Sequence, residues 1–298
     1  MKPIASFGII AFKKSKKVLY TFDRFLAWSN ESGVPVFFHP ALAPHVPTSA
    51  SVCATEEELL AKSEALVSVG GDGTFLSAVH LSHFSGKPVI GVNMGGIGFL
   101  TDIGPENLEV DLENMSNGRY RTTKRMLLEA RILRAGSEVK AMRALNDIFL
   151  NRFDQPKLVS IKAWSGDQFI TEFVADGLIV ASPSCSTAYS LSAGGPIVDP
   201  AVKAFLLTPI CPHSLTERPL ILPCDRQVRL VAGGKNADVM ISADGIDNMR
   251  LKKDDEVVVS YCGDQTNLLQ LSERSYFDLL RSKLGWGKDL KAGDQPEE

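Results

Sequence analysis

The chain has 298 residues, 44% of them hydrophobic and 22% charged, a balance that excludes a disordered, collagenous or mucin-like protein and suffices for two domains with cores of their own. Its 32 Lys and Arg stand against 35 Asp and Glu, a net charge of -3, so the basic excess of a nucleic-acid-binding surface is missing and no nucleic-acid partner is expected. The five cysteines, Cys53, Cys185, Cys211, Cys224 and Cys262, are odd in number and too far apart for a C-x-x-C pair, which reads as free thiols in a reducing compartment.

In chain order, Ile4 to Phe12 predicts a buried strand. Lys13, Lys14, Lys16 and Lys17 follow that apolar run, whereas a signal peptide carries its basic residues in front. No run reaches the ~18 apolar residues of a membrane span, so a cytoplasmic protein without membrane contact is expected. Val18 to Trp28 then predicts an amphipathic helix, Val34 to Phe38 a strand and Glu56 to Lys62 a helix with an acidic start. Ala65 to Val69 reads as a strand, Thr74 to His83 as a helix and Pro88 to Val92 as a strand. Strand and helix in strict turn over 1–120 predict an α/β domain, a parallel sheet with helices on both faces.

From Arg121 the helical spacing all but vanishes. Met126 to Leu133, Lys140 to Leu150, Leu158 to Trp164, Phe169 to Val174, Leu178 to Ala181, Val228 to Val231, Val239 to Ser242, Val257 to Tyr261 and Leu268 to Leu271 predict short strands. Residues 121–271 are therefore expected as an all-β domain of antiparallel layered sheets. Glu273 to Leu284 returns to helical spacing and is expected to pack back on the first domain, so that 272–298 rejoins it. The tail after Lys288 is charged and expected to fray.

Gly70-Gly71-Asp72-Gly73-Thr74 joins a strand to a helix. Small residues there let backbone approach a ligand, and the helix N-terminus offers free N–H groups to phosphate oxygens, which makes Gly70, Gly71, Gly73 and Thr74 a candidate phosphate-binding loop. Asp72 repels a phosphate unless it takes a proton or helps hold a metal. The alternative is a tight turn with Asp as a helix cap. The chain has no Walker A spacing, and Gly95-Gly96-Ile97-Gly98 lacks the dinucleotide fingerprint, but it too follows a strand and would line the same crevice.

Asn146-Asp147 is a polar pair among apolar residues, able to hydrogen-bond ribose hydroxyls or an amide, or else a bulge or turn. From Asp176 an apolar strand leads into Ser182-Pro183-Ser184-Cys185-Ser186-Thr187-Ala188-Tyr189-Ser190-Leu191-Ser192 and a glycine pair. Such hydroxyls bind uncharged polar groups or cap a helix, and Tyr189 can stack on a ring. A serine nucleophile finds no support, since no G-x-S-x-G elbow is present. His80 and His83 lack a third ligand nearby and read as a satisfied pair, not a metal site. His213 reads as a loop residue, and Arg218 as either a phosphate contact or a surface residue.

These motifs, in this order and spacing, resemble the bacterial NAD kinase family over nearly the whole chain, including Pro212-His213, Arg218-Pro219-Leu220 and Leu284-Gly285-Trp286. The G-G-D-G-T loop is shared with lipid kinases; the hydroxyl run discriminates. The resemblance implies an α/β domain followed by an all-β domain, and a homo-oligomer, dimer or tetramer. It implies phosphoryl transfer from ATP, or from polyphosphate, to the 2′-hydroxyl of the adenosine ribose of NAD, with a divalent cation such as Mg²⁺; no residue is named as a metal ligand.

Position by position, Asp72 resembles the catalytic base and Gly73 a backbone contact to the nucleotide. Asn146 and Asp147 resemble the pair on the ribose and adenine side. Asp176, Ser184, Thr187, Ala188, Tyr189, Ser190, Leu191 and Ser192 resemble the lining of the dinucleotide site. Cys185 stands where Gly is usual and puts a thiol close to the dinucleotide. Val174 and Ile246 stand where some members are polar. A lipid or sugar kinase would leave the hydroxyl run without a purpose, and a non-catalytic dinucleotide sensor would not need Asp72.

Overall fold

The computed structural model describes every residue except 13–14, 83–85, 97, 154–156, 234–238 and 287–298, together with the side chains of 264 and 265. The first half contains β1 (Phe7–Ile10), α1 (Lys16–Ser32), β2 (Val36–Phe38), α2 (Glu56–Lys62), β3 (Ala65–Gly70), α3 (Asp72–Ser82), β4 (Val89–Asn93) and α4 (Leu108–Ser116). α1 starts where the Ser15 hydroxyl accepts the Val18 N–H and stops at Gly33, whose φ of 73° a side chain would resist. β1 to β4 pair in parallel in the order β2-β1-β3-β4.

Alternation along the strands sends Phe7, Ile9, Val67 and Val69 to the face covered by α1 and α4. Ile10 and Leu66 point to the other face, against Leu59 of α2 and Phe75, Ala78 and Val79 of α3. Both faces are covered, as the alternating pattern requires.

The second half contains β5 (Arg121–Arg134), β6 (Ser137–Ala144), β7 (Asp147–Arg152), β8 (Val159–Ser165), β9 (Gln168–Ala175), β10 (Gly177–Ala181), α5 (Tyr189–Ser192), β11 (Ala204–Ile210), β12 (Leu220–Pro223), β13 (Val228–Gly233), β14 (Val239–Ala243), β15 (Asp247–Arg250), β16 (Glu256–Gln270) and α6 (Tyr276–Leu284). Six strands form an all-antiparallel sheet in the order β12-β11-β10-β7-β14-β15. Its inner face and that of β5, β6, β8, β13 and β16 enclose one core, with Leu128, Ile132, Leu150, Val180, Leu207 and Ile241 fully buried.

Three expected strands differ. Val257 to Tyr261 and Leu268 to Gln270 belong to one strand, β16, with Leu271 just past its end; it pairs with β5 on both sides of an irregularity between Tyr261 and Gln265 and reaches β4 in parallel at Leu268. The first sheet thus runs unbroken from the α/β half into the β half. The expected strand Lys140 to Leu150 is two strands in different sheets, interrupted at Leu145 and Asn146. α6 carries a capping box between Ser275 and Asp278. Its Lys283 ammonium lies over the Phe99 ring and its Tyr276 hydroxyl donates to the Val198 carbonyl at 3.3 Å, so it touches both halves. No described helix is long and apolar enough to cross a membrane.

Candidate active site

β3 ends at Gly70 and α3 begins at Asp72, so the turn between them is as tight as the glycines allow. A Cβ on Gly70 would collide with the Thr74 side chain, whereas Gly71 and Gly73 face open space. Asp72 does not cap its own helix. Its Oδ2 accepts the Phe99 N–H at 3.0 Å and its Oδ1 the Leu100 N–H at 3.2 Å, with the Thr101 hydroxyl 3.5 Å away. The two glycine loops are thereby joined through this carboxylate. Gly98 makes room for it, because a Cβ there would overlap Asp72 Oδ1 and Thr101 Oγ1. Asn93, at the end of β4, shapes the second loop: its Nδ2 donates to the Gly96 carbonyl at 2.7 Å and to Thr101 Oγ1 at 3.0 Å, and its Oδ1 accepts the Gly95 N–H.

The break between β6 and β7 is organised by Asp244, in the turn from β14 to β15 with a φ of 52°. Its buried carboxylate accepts the backbone N–H groups of Leu145, Asn146 and Asp147 at 2.8, 2.8 and 3.0 Å. His80, two turns along α3 from Asp72, places Nε2 2.9 Å from Asp244 Oδ2. The helix that starts with Asp72 is therefore tied to the segment that carries Asn146 and Asp147. His80 is a satisfied residue, as its sequence context suggests; His83 lies outside the described residues. Asp244 and Asn93 escape motif reading. The only sequence cue to the first is an Asp-Gly turn between two strands, a hairpin signal with no hint of its long-range partners.

The hydroxyl run folds as a 3₁₀ turn over Pro183–Thr187 followed by α5. Ser182 fastens it to Asn146: its N–H donates to the Asn146 carbonyl at 2.8 Å and its hydroxyl to the Leu145 carbonyl. Asn146 Oδ1 is buried and accepts nothing from the described residues, which leaves an acceptor in want of a donor. Cys185 donates its S–H to Asp147 Oδ2 at 3.0 Å. Burial pushes the Asp147 carboxyl up to about 6, with the Asp244 charge adding to the rise and the Cys185 bond opposing it. Burial and the Asp147 charge push the thiol up as well, so Cys185 is an inert neutral donor. Tyr189 is partly exposed, its ring edge-on to Phe149 at 5.2 Å.

Asp72, Asn146, Asp147, Ser184, Thr187, Ala188 and Tyr189 are linked through these contacts, and Ser184 and Thr187 also border a cavity with Phe99 and Leu100, the residues that hold Asp72. Leu191 is half-buried and Ser192 exposed on α5. Ser190 stands apart, because its buried hydroxyl bonds Thr208 Oγ1 at 2.9 Å inside the fold. Asp176 is at the opposite end of β10 from Ala181, the residue paired with Asp147, about 17 Å along the strand. There it is 3.4 Å from the Arg152 guanidinium. Arg218 donates to the carbonyls of Leu215 and Glu217 in its own exposed loop, His213 is exposed, and Val174 and Ile246 are partly exposed. Among the described residues no three His, Cys, Asp or Glu side chains converge on a metal position.

Residues 14–120 match the ATP-NAD kinase N-terminal domain and residues 145–271 the ATP-NAD kinase C-terminal domain. A protein named NAD kinase from Caldanaerobacter subterraneus subsp. tengcongensis is 42% identical over 76% of this chain and 80% of its own length. One of the same name from Trichlorobacter lovleyi is 36% identical over 97% of this chain and 100% of its own. The crystal structure of yeast NADH kinase complexed with NADH superimposes with a TM-score of 0.87 at 28% identity, over 99% of this chain and 90% of that one. An NAD kinase from Archaeoglobus fulgidus in complex with ATP shares the fold, with a TM-score of 0.70 at 23% identity over 94% of this chain and 97% of that one. Both halves of the chain and the path between them belong to the NAD kinase family, a family of phosphotransferases.

Proposed function

We propose that the chain transfers the terminal phosphoryl group of ATP, or of polyphosphate, to the 2′-hydroxyl of the adenosine ribose of NAD, with Asp72 as general base. The observation that carries this reading is the Asp72 carboxylate. It is drawn off its own helix and fixed by the N–H groups of Phe99 and Leu100, two residues that border a cavity together with Ser184 and Thr187. A carboxylate has about four acceptor positions, so those bonds leave capacity for a ribose hydroxyl. As the 2′-oxygen forms its bond to phosphorus and the bond to the ADP oxygen breaks, the hydroxyl proton passes to Asp72. The N–H groups at the start of α3 face the transferring oxygens, and a divalent cation bound with ATP supplies the remaining charge neutralisation.

Asn146 and Asp147 bind without reacting: the orphaned Oδ1 takes a donor from the nucleoside and Asp147 accepts a second. Thr187, Ala188, Tyr189, Leu191 and Ser192 line the remainder of the dinucleotide. Asp176 joins only if a second copy of the chain brings it to the site, which makes a homo-oligomer part of the proposal. Residues 1–120, rejoined by α6, act as the unit that holds ATP, and 121–271 as the unit that holds NAD, in the cytoplasm.

The test is NADP formation from NAD, Mg²⁺ and ATP. Asp72→Asn should lose about 10²–10⁴ of kcat while its Kd for NAD stays within a few-fold. Turnover at the wild-type rate would remove Asp72 from the chemistry.

A further inference from the structure

Two guanidinium groups outside the expected site face the same cavity. Arg125, on β5, is half-buried, and Arg274, just before α6, is exposed. Neither makes a hydrogen bond or ion pair to any described residue. Burial presses the pKa of Arg125 down, against the opposing influence of the Asp199 carboxylate and the Tyr276 phenol. An arginine does not shed its proton in a protein, so a half-buried guanidinium without a partner bears a desolvation cost that an anion would relieve.

The surroundings say which anion. The cavity, about 50 Å³, exceeds the ~10–15 Å³ needed for one water several-fold. Its walls include Leu100, whose N–H holds Asp72, and Ser184 and Thr187 of the hydroxyl run, with Tyr276 closing it from α6. A ligand in that space touches the loop that holds Asp72, through Phe99 and Leu100, and the hydroxyl run, through Ser184 and Thr187. Forked donors match a phosphate in two-point geometry.

We infer that Arg125 and Arg274 form a phosphate-binding site for the bound nucleotides. This rests on the kinase reading, and it assigns to β5 and the start of α6 a part in substrate binding that no motif in the sequence marks.

Calorimetric titration of the full chain tests it, with NAD, NADP, ATP and, as a ligand without phosphate, adenosine. Arg274→Ala, on the surface, and Arg125→Lys, which keeps the charge but not the fork, are the informative variants. Each should weaken at least one phosphate-bearing ligand about tenfold or more and leave adenosine within twofold. Loss confined to NADP places the 2′-phosphate there, loss shared by NAD and NADP the pyrophosphate, and loss confined to ATP the donor's phosphates; all three support the site. Variants that bind every ligand like wild type, or that lose adenosine as much as NAD, overturn it and make Arg125 a structural residue. Wild-type chain that binds no nucleotide overturns the kinase reading and this one with it. Intact wild-type binding with unaffected variants overturns this one alone.

Discussion

Replacing Asp147 by Asn should change how stability depends on pH. Burial raises this carboxyl from 3.8 to about 6, so over that interval the folded chain keeps a proton that the unfolded chain has lost. The sign follows: the contribution is complete below about pH 4 and disappears as the pH rises through 6. A shift of about two units at ~1.36 kcal/mol each amounts to about 3 kcal/mol, of which about 2 falls between pH 4 and pH 8. Asn retains an acceptor for the Cys185 thiol and does not ionise. The unfolding free energy of the Asn variant minus that of the wild type should therefore grow by about 2 kcal/mol over this range, other titrations cancelling in the difference. Urea unfolding of both proteins at half-unit steps of pH measures it. A difference that stays level within about 0.5 kcal/mol refutes the desolvated placement of Asp147. In steady-state assays at pH 8 the same variant should show a KM for NAD raised more than kcat is lowered if Asp147 binds the substrate and Asp72 is the base, as proposed.

Three further outcomes follow from the contacts around the site. His80→Phe removes the imidazole facing Asp244 and should cost about 1.5–3 kcal/mol in urea unfolding and lower kcat; His80→Gln, which keeps a donor, should recover most of both. Gly98→Ala drives a methyl group into Asp72 Oδ1 and should lower kcat about 10²-fold with little change in melting temperature, since the misplacement is local to the base. Iodoacetamide should label exposed Cys211 in the native chain and leave Cys185 unmodified with or without NAD, because its thiol is buried and bonded; labelling of Cys185 that NAD suppresses would place it in an open pocket.

How much of this could be read in advance depends on whether a contact is local. The alternation of Phe7, Ile9 and Ile10, and the apolar runs that alternate with the amphipathic spacing of α1, are set by neighbours a few residues away, and they gave the parallel sheet directly. β16 misled because its middle, Cys262-Gly263-Asp264-Gln265, reads as a turn, while β5 pairs on both sides of it and overrides that local preference. Lys140 to Leu150 misled in the opposite sense: its apolar residues continue through Leu145, but Asp244, almost a hundred residues away, takes three successive N–H groups and turns the chain into the other sheet. Asp72 was legible as a residue, since an acid among glycines is out of place. Its partners were not, because Phe99 and Leu100 bind it through backbone N–H groups that any sequence supplies. Ser190 was legible as a member of the run, whereas its hydroxyl's partner, Thr208, was not.

The two carboxylates at the break between β6 and β7 show how the same chemistry is divided by environment. Asp244 is saturated: three backbone N–H groups and an imidazole occupy its oxygens, so it can hold the wall in place but has little left for a ligand. The Asp147 carboxylate receives one weak S–H donor, and Asn146 Oδ1 beside it is buried with no donor among the described residues. Buried polar atoms left unpaired carry a desolvation cost, and a wall that retained them for packing alone would be more stable with apolar residues. Their deficit is local, lies next to the hydroxyl run, and is matched by a neighbour whose own bonding is complete. On the proposed function the donors that satisfy it are those of a nucleoside, its ribose hydroxyls and exocyclic amine, so that reading puts the substrate against Asn146 Oδ1 and Asp147.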